Sequence, residues 1–471
     1  MDLSETLLSR ELVTPEDLKA ARQRQQVAGG LIGENLLALG AVRREQLQAL
    51  GDEAPAPPRS LQDAGLAIRF LHDLLLKVFY ISGSRTSSQI LNTVKLTRQL
   101  LEPCLTELEK LKLIEVTAAE SALIWRYALT SGGRKRAVAA LEQSQYVGPA
   151  PVPLDEFYRQ VERQSITHEQ IEPGALEEKF SHLVLPRKLV GQLGAAINSG
   201  RTILLYGSSG NGKSSVARAL GQVFRQTVYM PYCVSVDDQI IKIFDPAIHE
   251  EVPLPPEAGS AGMTAKADQR WVRCRRPLVH AGGELTLRML DLDFNPISKF
   301  YEAPLQVKAM GGVFVIDDFG RQMVRPEDLL NRWIVPLEKK VDYLTLHTGK
   351  KFEVLFDEIV IFSTNMPPRD LLDEALMRRI NYKLHVPAPT LEDYAIIFKR
   401  MCKLNNLEFS EDFLPCLEQF YARNKLQPAA YHPKSLIDHV VAVCKFEGRR
   451  PRLTVALLES ALEHLIVRDS D

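Results

Sequence analysis

No stretch of the 471 residues reaches the roughly 18 consecutive apolar residues that a membrane-spanning helix needs. The sequence therefore predicts no membrane insertion. The first residues, MDLSETLLSRELVTPEDL, carry acids early and lack a basic segment followed by an apolar run, so no signal peptide is expected and the chain reads as cytoplasmic. The six cysteines (Cys104, Cys233, Cys274, Cys402, Cys416 and Cys444) contain no CxxC pair, and no clustered histidines accompany them. That argues against zinc and fits a reducing compartment. Charge of one sign is also missing: 58 Lys and Arg against 59 Asp and Glu leave a formal net charge of -1, which gives no general attraction to nucleic acid or an anionic membrane. What remains, 45% hydrophobic and 25% charged residues, is the balance of an ordinary globular chain with room for two to four domains.

Two proline-rich stretches, DEAPAPPR (52 to 59) and YVGPAPVP (146 to 153), read as extended joints. Before the first, TLLSRELVTPEDLKAA (6 to 21) aligns with NLLALGAVRREQLQAL (35 to 50), a weak repeat of a helix-turn-helix unit. The pattern resembles the N-terminal domains of type II secretion and type IV pilus ATPases, some of which bind cyclic di-GMP through Arg-Leu-Gly at the start of each repeat. The matching triplet here is Leu31-Ile32-Gly33, without the arginine, and the first copy has none. That departure favours docking to a partner protein over nucleotide sensing. Between the joints, periodicity predicts helices in LAIRFLHDLLLKVFYI, in SSQILNTVK behind a serine cap and in TRQLLEPCLTELEKLKLI. A hairpin in EVTAAESALIWRYALT and a closing helix follow. The order resembles a winged helix. Its third helix mixes Glu102, Glu107 and Glu109 with Arg98, Lys110 and Lys112, so a protein-interaction or spacer role is favoured over DNA binding.

RTILLYGSSGNGKSSVARAL (201 to 220) contains G-x-x-x-x-G-K-[ST], entered by an apolar strand and left by an alanine-rich helix. Glycines allow backbone N–H groups to turn onto phosphate oxygens, and the helix N-terminus favours the anion. The candidate nucleotide contacts are Gly207, Ser208, Ser209, Gly210, Asn211, Gly212, Lys213, Ser214 and Ser215. Lys213 is placed on the β- and γ-phosphates of ATP and the Ser214 hydroxyl on Mg²⁺. GGVFVIDDFG (311 to 320) is a second apolar strand ending in two carboxylates, read as delivering Asp317 to Mg²⁺ and Asp318 to the attacking water.

The loop alone does not select a class. The only Asn-Lys pair, NKLQ at 424 to 427, fails the Asn-Lys-x-Asp pattern of guanine recognition, and the LSGGQ of transporter ATPases is missing. DEIVIFSTNMPP (357 to 368) adds a strand ending in Ser363-Thr364-Asn365, ALMRRINYKLHVPAPT (375 to 390) adds paired arginines before another strand, and a helical tail follows. This order resembles the AAA+ ATPases over roughly residues 176 to 468. The resemblance implies that Asn365 orients the water as sensor 1 and that Arg378 and Arg379 are arginine fingers reaching a neighbouring subunit. Lys434 of YHPKSLIDHV stands where many members carry the sensor 2 arginine. The segment 331 to 362, with a hairpin turning at HTGK, resembles the pre-sensor-1 insertion of MoxR-type ATPases and bacterial enhancer-binding activators. The activators' Gly-Ala-Phe-Thr-Gly-Ala loop is missing, which disfavours a sigma-factor remodeller.

QTVYMPYCV reads as the second core strand, followed by a long insertion (235 to 302) with a Pro/Gly-rich loop, VPLPPEAGSAGM. WVRCRRPLVHAGGELTLRML reads as a hairpin closed by Gly282-Gly283. Arg270, Arg273, Arg275, Arg276 and Phe300-Tyr301 are then candidates for gripping a substrate in a ring pore, the alternative being an insertion that braces the subunit interface. The expected fold is an α/β P-loop core of three αβα layers on a parallel sheet (176–390), with a helical lid (391–471). A helical repeat module (1–52), a winged-helix-like domain (61–146) and a linker (147–175) precede it. The expected function is a bacterial ATP hydrolase, slow or partner-gated because Asp318 replaces the usual glutamate. It would form a homo-oligomeric ring, most simply a hexamer, that remodels a protein client recruited through residues 1–146. The alternatives are a DNA-associated regulatory ATPase and an accessory ATPase of a secretion or pilus system.

Overall fold

The computed structural model describes residues 2–121, 124–253, 267–371 and 373–465. Five short segments form one parallel sheet, numbered here in chain order: β1 (Ile203–Tyr206), β2 (Leu278–Ala281), β3 (Val313–Ile316), β4 (Ile359–Thr364) and β5 (Tyr382–His385); the central three, β3, β4 and β1, are largely apolar. Their spatial order is β2-β3-β4-β1-β5, with all neighbours parallel. Near-continuous apolar runs suit such a sheet because both faces are covered. Alternate residues serve opposite layers. Ile203, Leu205, Val313, Val315, Ile359 and Ile361 pack under the helices Arg187–Asn198 and Lys213–Gly221. Leu204, Phe314, Ile316, Val360 and Phe362 pack with Trp333 and Leu329 on the other side. There Trp333 meets Phe314 and Phe356 edge-on at centroid distances of 5.4 and 5.6 Å, the geometry that the ring quadrupole favours. The expected three-layer αβα core is thus present.

The sheet's edge corrects the sequence reading. The hairpin expected over 271 to 290, closed by Gly282-Gly283, does not form: its first arm is two separate strands, Trp271–Arg275 and Leu278–Ala281, and Leu287–Leu290 of its second arm is a single 3-10 turn. Trp271–Arg275 pairs antiparallel with Thr227–Pro231, and Leu278–Ala281 is β2, parallel to β3. Pro277 separates them: its fixed φ and missing N–H end the first ladder, while its carbonyl accepts from Val313 N–H at 2.9 Å. QTVYMPYCV is therefore outside the main sheet, and the stretch 235 to 302 is not one insertion, since it contains a core strand. The loop VPLPPEAGSAGM lies, beyond its first two residues, outside the described residues.

A second five-stranded sheet uses Asp293–Phe294, Tyr301–Glu302, Gln239–Lys242, Cys233–Val236 and Val152–Pro153, in that order. The last strand belongs to the second proline-rich stretch, which is no open joint. Val152 pairs with Val234, and Val152, Ala150 and Tyr146 are buried. The Tyr146 hydroxyl donates to the Pro149 carbonyl at 2.8 Å. Residues 147–175, read as a linker, likewise contain the helix Leu154–Arg163, whose Phe157 and Val161 enter this core.

At the N-terminus four helices (Leu3–Ser9, Pro15–Ala28, Ile32–Ala38, Arg44–Gly51) bury Leu3, Leu7, Val13, Leu18 and Ala21 together with Ile32, Leu36, Val42, Leu47 and Leu50, each pair 29 residues apart. Residues 68–143 give four helices and a three-stranded sheet of Arg85–Thr86, Ile124–Leu129 and Ile114–Ser121. The second of these helices is capped by Thr86, not by serine: its hydroxyl accepts from Gln89 N–H while Gln89 closes a capping box. Helices within 391–463 complete the chain around Phe398, Tyr421, Ile437 and Leu458. No described helix is long and apolar enough to cross a membrane.

Candidate functional site

The phosphate-loop residues lie where β1 ends. The loop turns through Gly207 and Gly210 at positive φ (147° and 78°), and side chains there would collide with the Val386 carbonyl and the Tyr431 ring at 2.3 and 2.1 Å. Lys213 opens the following helix, is buried, and its ammonium donates to the Gly207 and Ser208 carbonyls, both at 2.9 Å. Burial lowers its pKa, with Asp317 and Asp318 acting in the opposite sense. Asn211 is buried with neither amide atom hydrogen-bonded, whereas Ser208, Ser209 and Ser215 are exposed and Gly212 and Ser214 half-buried.

The two aspartates divide sharply. Asp317 is half-buried; burial raises its pKa, but hydrogen bonds from the Ser214 and Ser363 hydroxyls and the Asp318 N–H outweigh this and hold it below the usual carboxylate range. Asp318 is exposed and in the left-handed region at φ 50°, its N–H donating to Asp317 Oδ1 at 3.1 Å. The carboxylates were expected to share a buried strand end; only Asp317 is enclosed, because the chain turns at Asp318. That turn is fastened to β4: Phe319 N–H donates to the Ser363 carbonyl and the Thr364 hydroxyl to the Phe319 carbonyl, each at 2.7 Å. Asn365 follows directly, with its Oδ1 buried and unpartnered.

Two neighbours escaped the sequence reading. His280 of β2 places Nε2 3.5 Å from Asp317 Oδ2; it was invisible because β2 had been placed in a hairpin. Ser363 is legible as a polar residue ending an apolar strand, two positions before Asn365.

Arg378 and Arg379 precede β5, at the end of the sheet opposite the phosphate loop. Strands β1 and β5 run parallel in register from Ile203↔Tyr382 to Tyr206↔His385, so the strand length of about 13 Å separates the arginines from their own loop. Arg379 pairs with Glu338 at 2.9 Å and Arg378 is exposed. Lys434, in the helix His432–Phe446, is exposed and makes no ion pair or hydrogen bond among the described residues. Tyr431, at that helix's N-terminus, is the residue seated on the loop, its N–H donating to the Gly210 carbonyl at 3.1 Å.

The substrate-gripping candidates are mostly structural. Arg270 is fully buried against Asp268, and Arg276 is buried with Glu169 at 2.9 Å. Tyr301 is buried, its hydroxyl accepting from His347 N–H at 2.8 Å, and Phe300 packs edge-on against Tyr146. Only Arg275 stands exposed, paired with Glu250 at 2.9 Å. Leu31-Ile32-Gly33 is buried too, Gly33 lying against His168. The hairpin Val341–Thr345/Lys351–Leu355 forms as read, turning through Gly349.

Residues 390–464 match a family model described as a domain of unknown function, DUF8689. No curated protein matches the chain. Among solved structures the chain is similar to NtrX from Brucella abortus in complex with ADP (17% identity, TM-score 0.38, covering 72% of this chain and 68% of that one). It is also similar to the Thermotoga maritima RuvB Holliday junction branch migration motor (15% identity, TM-score 0.32, 60% and 70%).

Proposed function

We propose that the protein is an ATP hydrolase of the AAA+ kind, completed between subunits of a ring. The observation that carries this reading is the convergence, at the C-terminal ends of β1, β3 and β4, of the Lys213 ammonium, the Ser214 hydroxyl and the Asp317 carboxylate bound to it. Lys213 would exchange its loop carbonyls for phosphate oxygens. Ser214 and Asp317 would hold Mg²⁺: they are hard oxygen donors, and a single carboxylate suits an ion that keeps water and phosphate as its other ligands. When bound, Mg²⁺ neutralises charge on the phosphates. Asp318 would take the proton of the attacking water, and the free Oδ1 of Asn365 would orient it. Arg378 and Arg379, unable to reach their own loop, would act on the neighbour's nucleotide. Residues 1–146 would recruit a protein client. The acid–base mixture of the helix Arg98–Lys110, with Arg98 and Glu102 paired at 3.5 Å, supports protein over DNA.

Turnover per subunit should rise with protein concentration and collapse in Arg379→Ala while ATP binding persists. A rate indifferent to both would leave a self-contained switch.

Asp318 also yields a gain-of-function prediction. Aspartate is one methylene shorter than glutamate, and base catalysis needs contact at about 2.6–3.2 Å or through one water. Asp318→Glu should raise kcat by roughly tenfold at unchanged ATP affinity, well inside the 10²–10⁴-fold that a positioned base contributes. An unchanged or lower kcat would show that Asp318 is not the base.

A further inference from the structure

At the N-terminal end of the sheet, a cavity of about 280 Å³ is lined by Arg201, Arg378, Arg379, Glu338 and Asn381. Three arginines and one glutamate thus line it. Glu338 is already engaged by Arg379. The Arg201 and Arg378 side chains make no ion pair or hydrogen bond among the described residues, and Arg201 is half-buried. Positive charge concentrated in one partly enclosed hollow is a receptor for an anion, and guanidinium forks match phosphate oxygens best.

The anion is not the subunit's own nucleotide. Arg201 lies two residues before β1 begins and the phosphate loop follows β1, so the same strand holds the two apart. We infer that Arg201 is a third arginine of the group presented to the neighbouring subunit, contacting the phosphates of the neighbour's ATP beside Arg378 and Arg379. This rests on the ring reading above. It adds a catalytic residue from outside the helix and turn that carry the arginine pair. It also gives Glu338 a role as the internal counter-ion that the incoming phosphate displaces from Arg379.

The test is mixed-subunit complementation. Arg201→Ala should lower kcat by roughly 10²-fold, the loss typical of one transition-state donor, with the affinity for ATP within about twofold of wild type. Lys213→Ala should be inactive because it cannot hold ATP, though its arginines are intact. Mixing the two should restore turnover, since the second variant lends its arginines to nucleotide held by the first. If the mixture stays inactive while Arg379→Ala with Lys213→Ala recovers, the ring stands and the role of Arg201 is overturned. If neither mixture recovers, the ring reading itself fails. An Arg201→Ala kcat equal to wild type also overturns the inference. Where the alanine variant loses ATP binding, Arg201→Gln replaces it in the same mixture. Inorganic phosphate separates the other source of anion. Stabilisation of dilute wild-type protein, lost in Arg201→Ala, with no recovery on mixing, would make the hollow a free-phosphate site and overturn the proposal.

Discussion

Replacing Lys213 by alanine is expected to reduce kcat/KM for ATP by roughly 10³-fold, the upper end of what one preorganised cationic or hydrogen-bond donor contributes at a developing negative charge. The ammonium is held at the spot where it is needed: it is buried, it already donates twice to loop carbonyls, and Asp317 and Asp318 favour its charged form against burial. Alanine removes the charge that phosphate requires and leaves those carbonyls without a donor. The second effect concerns two partly solvated backbone groups and should cost about 1–3 kcal/mol, distinguishable by thermal denaturation. Equilibrium ATP binding, followed with a fluorescent analogue, should fall in parallel with turnover. Binding preserved with turnover lost would mean that Lys213 acts on the transition state alone.

The phosphate loop, the Asp317 strand and the Asn365 strand were legible because each is a local pattern, an apolar run that stops at a polar group where a buried sheet meets solvent. Such patterns depend on burial of the strand and on nothing distant. β2 was not legible. Leu278–Ala281 is four residues long and follows Pro277, and its partner β3 begins at Val313. Periodicity over so short a run cannot separate a sheet edge from a hairpin arm. The misplacement had a chemical consequence, since it hid His280 beside Asp317. The proline-rich stretch 146–153 failed for a related reason. Proline signals an extended backbone, but whether that backbone is solvated or laid along a sheet edge depends on Val234, more than eighty residues away.

The same dependence on distant partners explains the arginines of 270 to 276, and it yields the largest expected effect on stability. A run of arginines reads as a charged surface because arginine is seldom buried unpaired. Besides Asp268, two residues away, the partners that bury Arg270 come from remote segments around 64 and 151 to 156. Its guanidinium donates to Asp268 (Nη2 to Oδ2 at 2.7 Å), to the Ala64 carbonyl at 3.0 Å and to the Pro151 carbonyl at 3.1 Å, and it lies 3.5 Å from Glu156. Asp268 in turn donates its N–H to the Pro55 carbonyl at 2.8 Å. Arg270→Ala would leave Asp268, itself buried, as an uncompensated charge, along with two carbonyls lacking donors. A loss of about 3–5 kcal/mol is expected, by analogy with other buried pairs broken on one side. It should be concentrated where residues 55–64 and 146–153 meet the strand Trp271–Arg275, and read as faster amide exchange at Tyr232, whose N–H donates to the Arg270 carbonyl. Removing both charges together, as Arg270→Met with Asp268→Leu, should return part of that loss, because Asp268 is then no longer an unpaired buried charge, although Glu156 and the two carbonyls still lose their donor. Arg275→Ala, at an exposed pair, should change stability by less than about 1 kcal/mol. An Arg270→Ala protein as stable as wild type would return Arg270 to the surface and to the list of residues that could touch a client. A destabilised one whose double variant recovers makes this arginine the fastener between the N-terminal segments and the sheet that leads into β2.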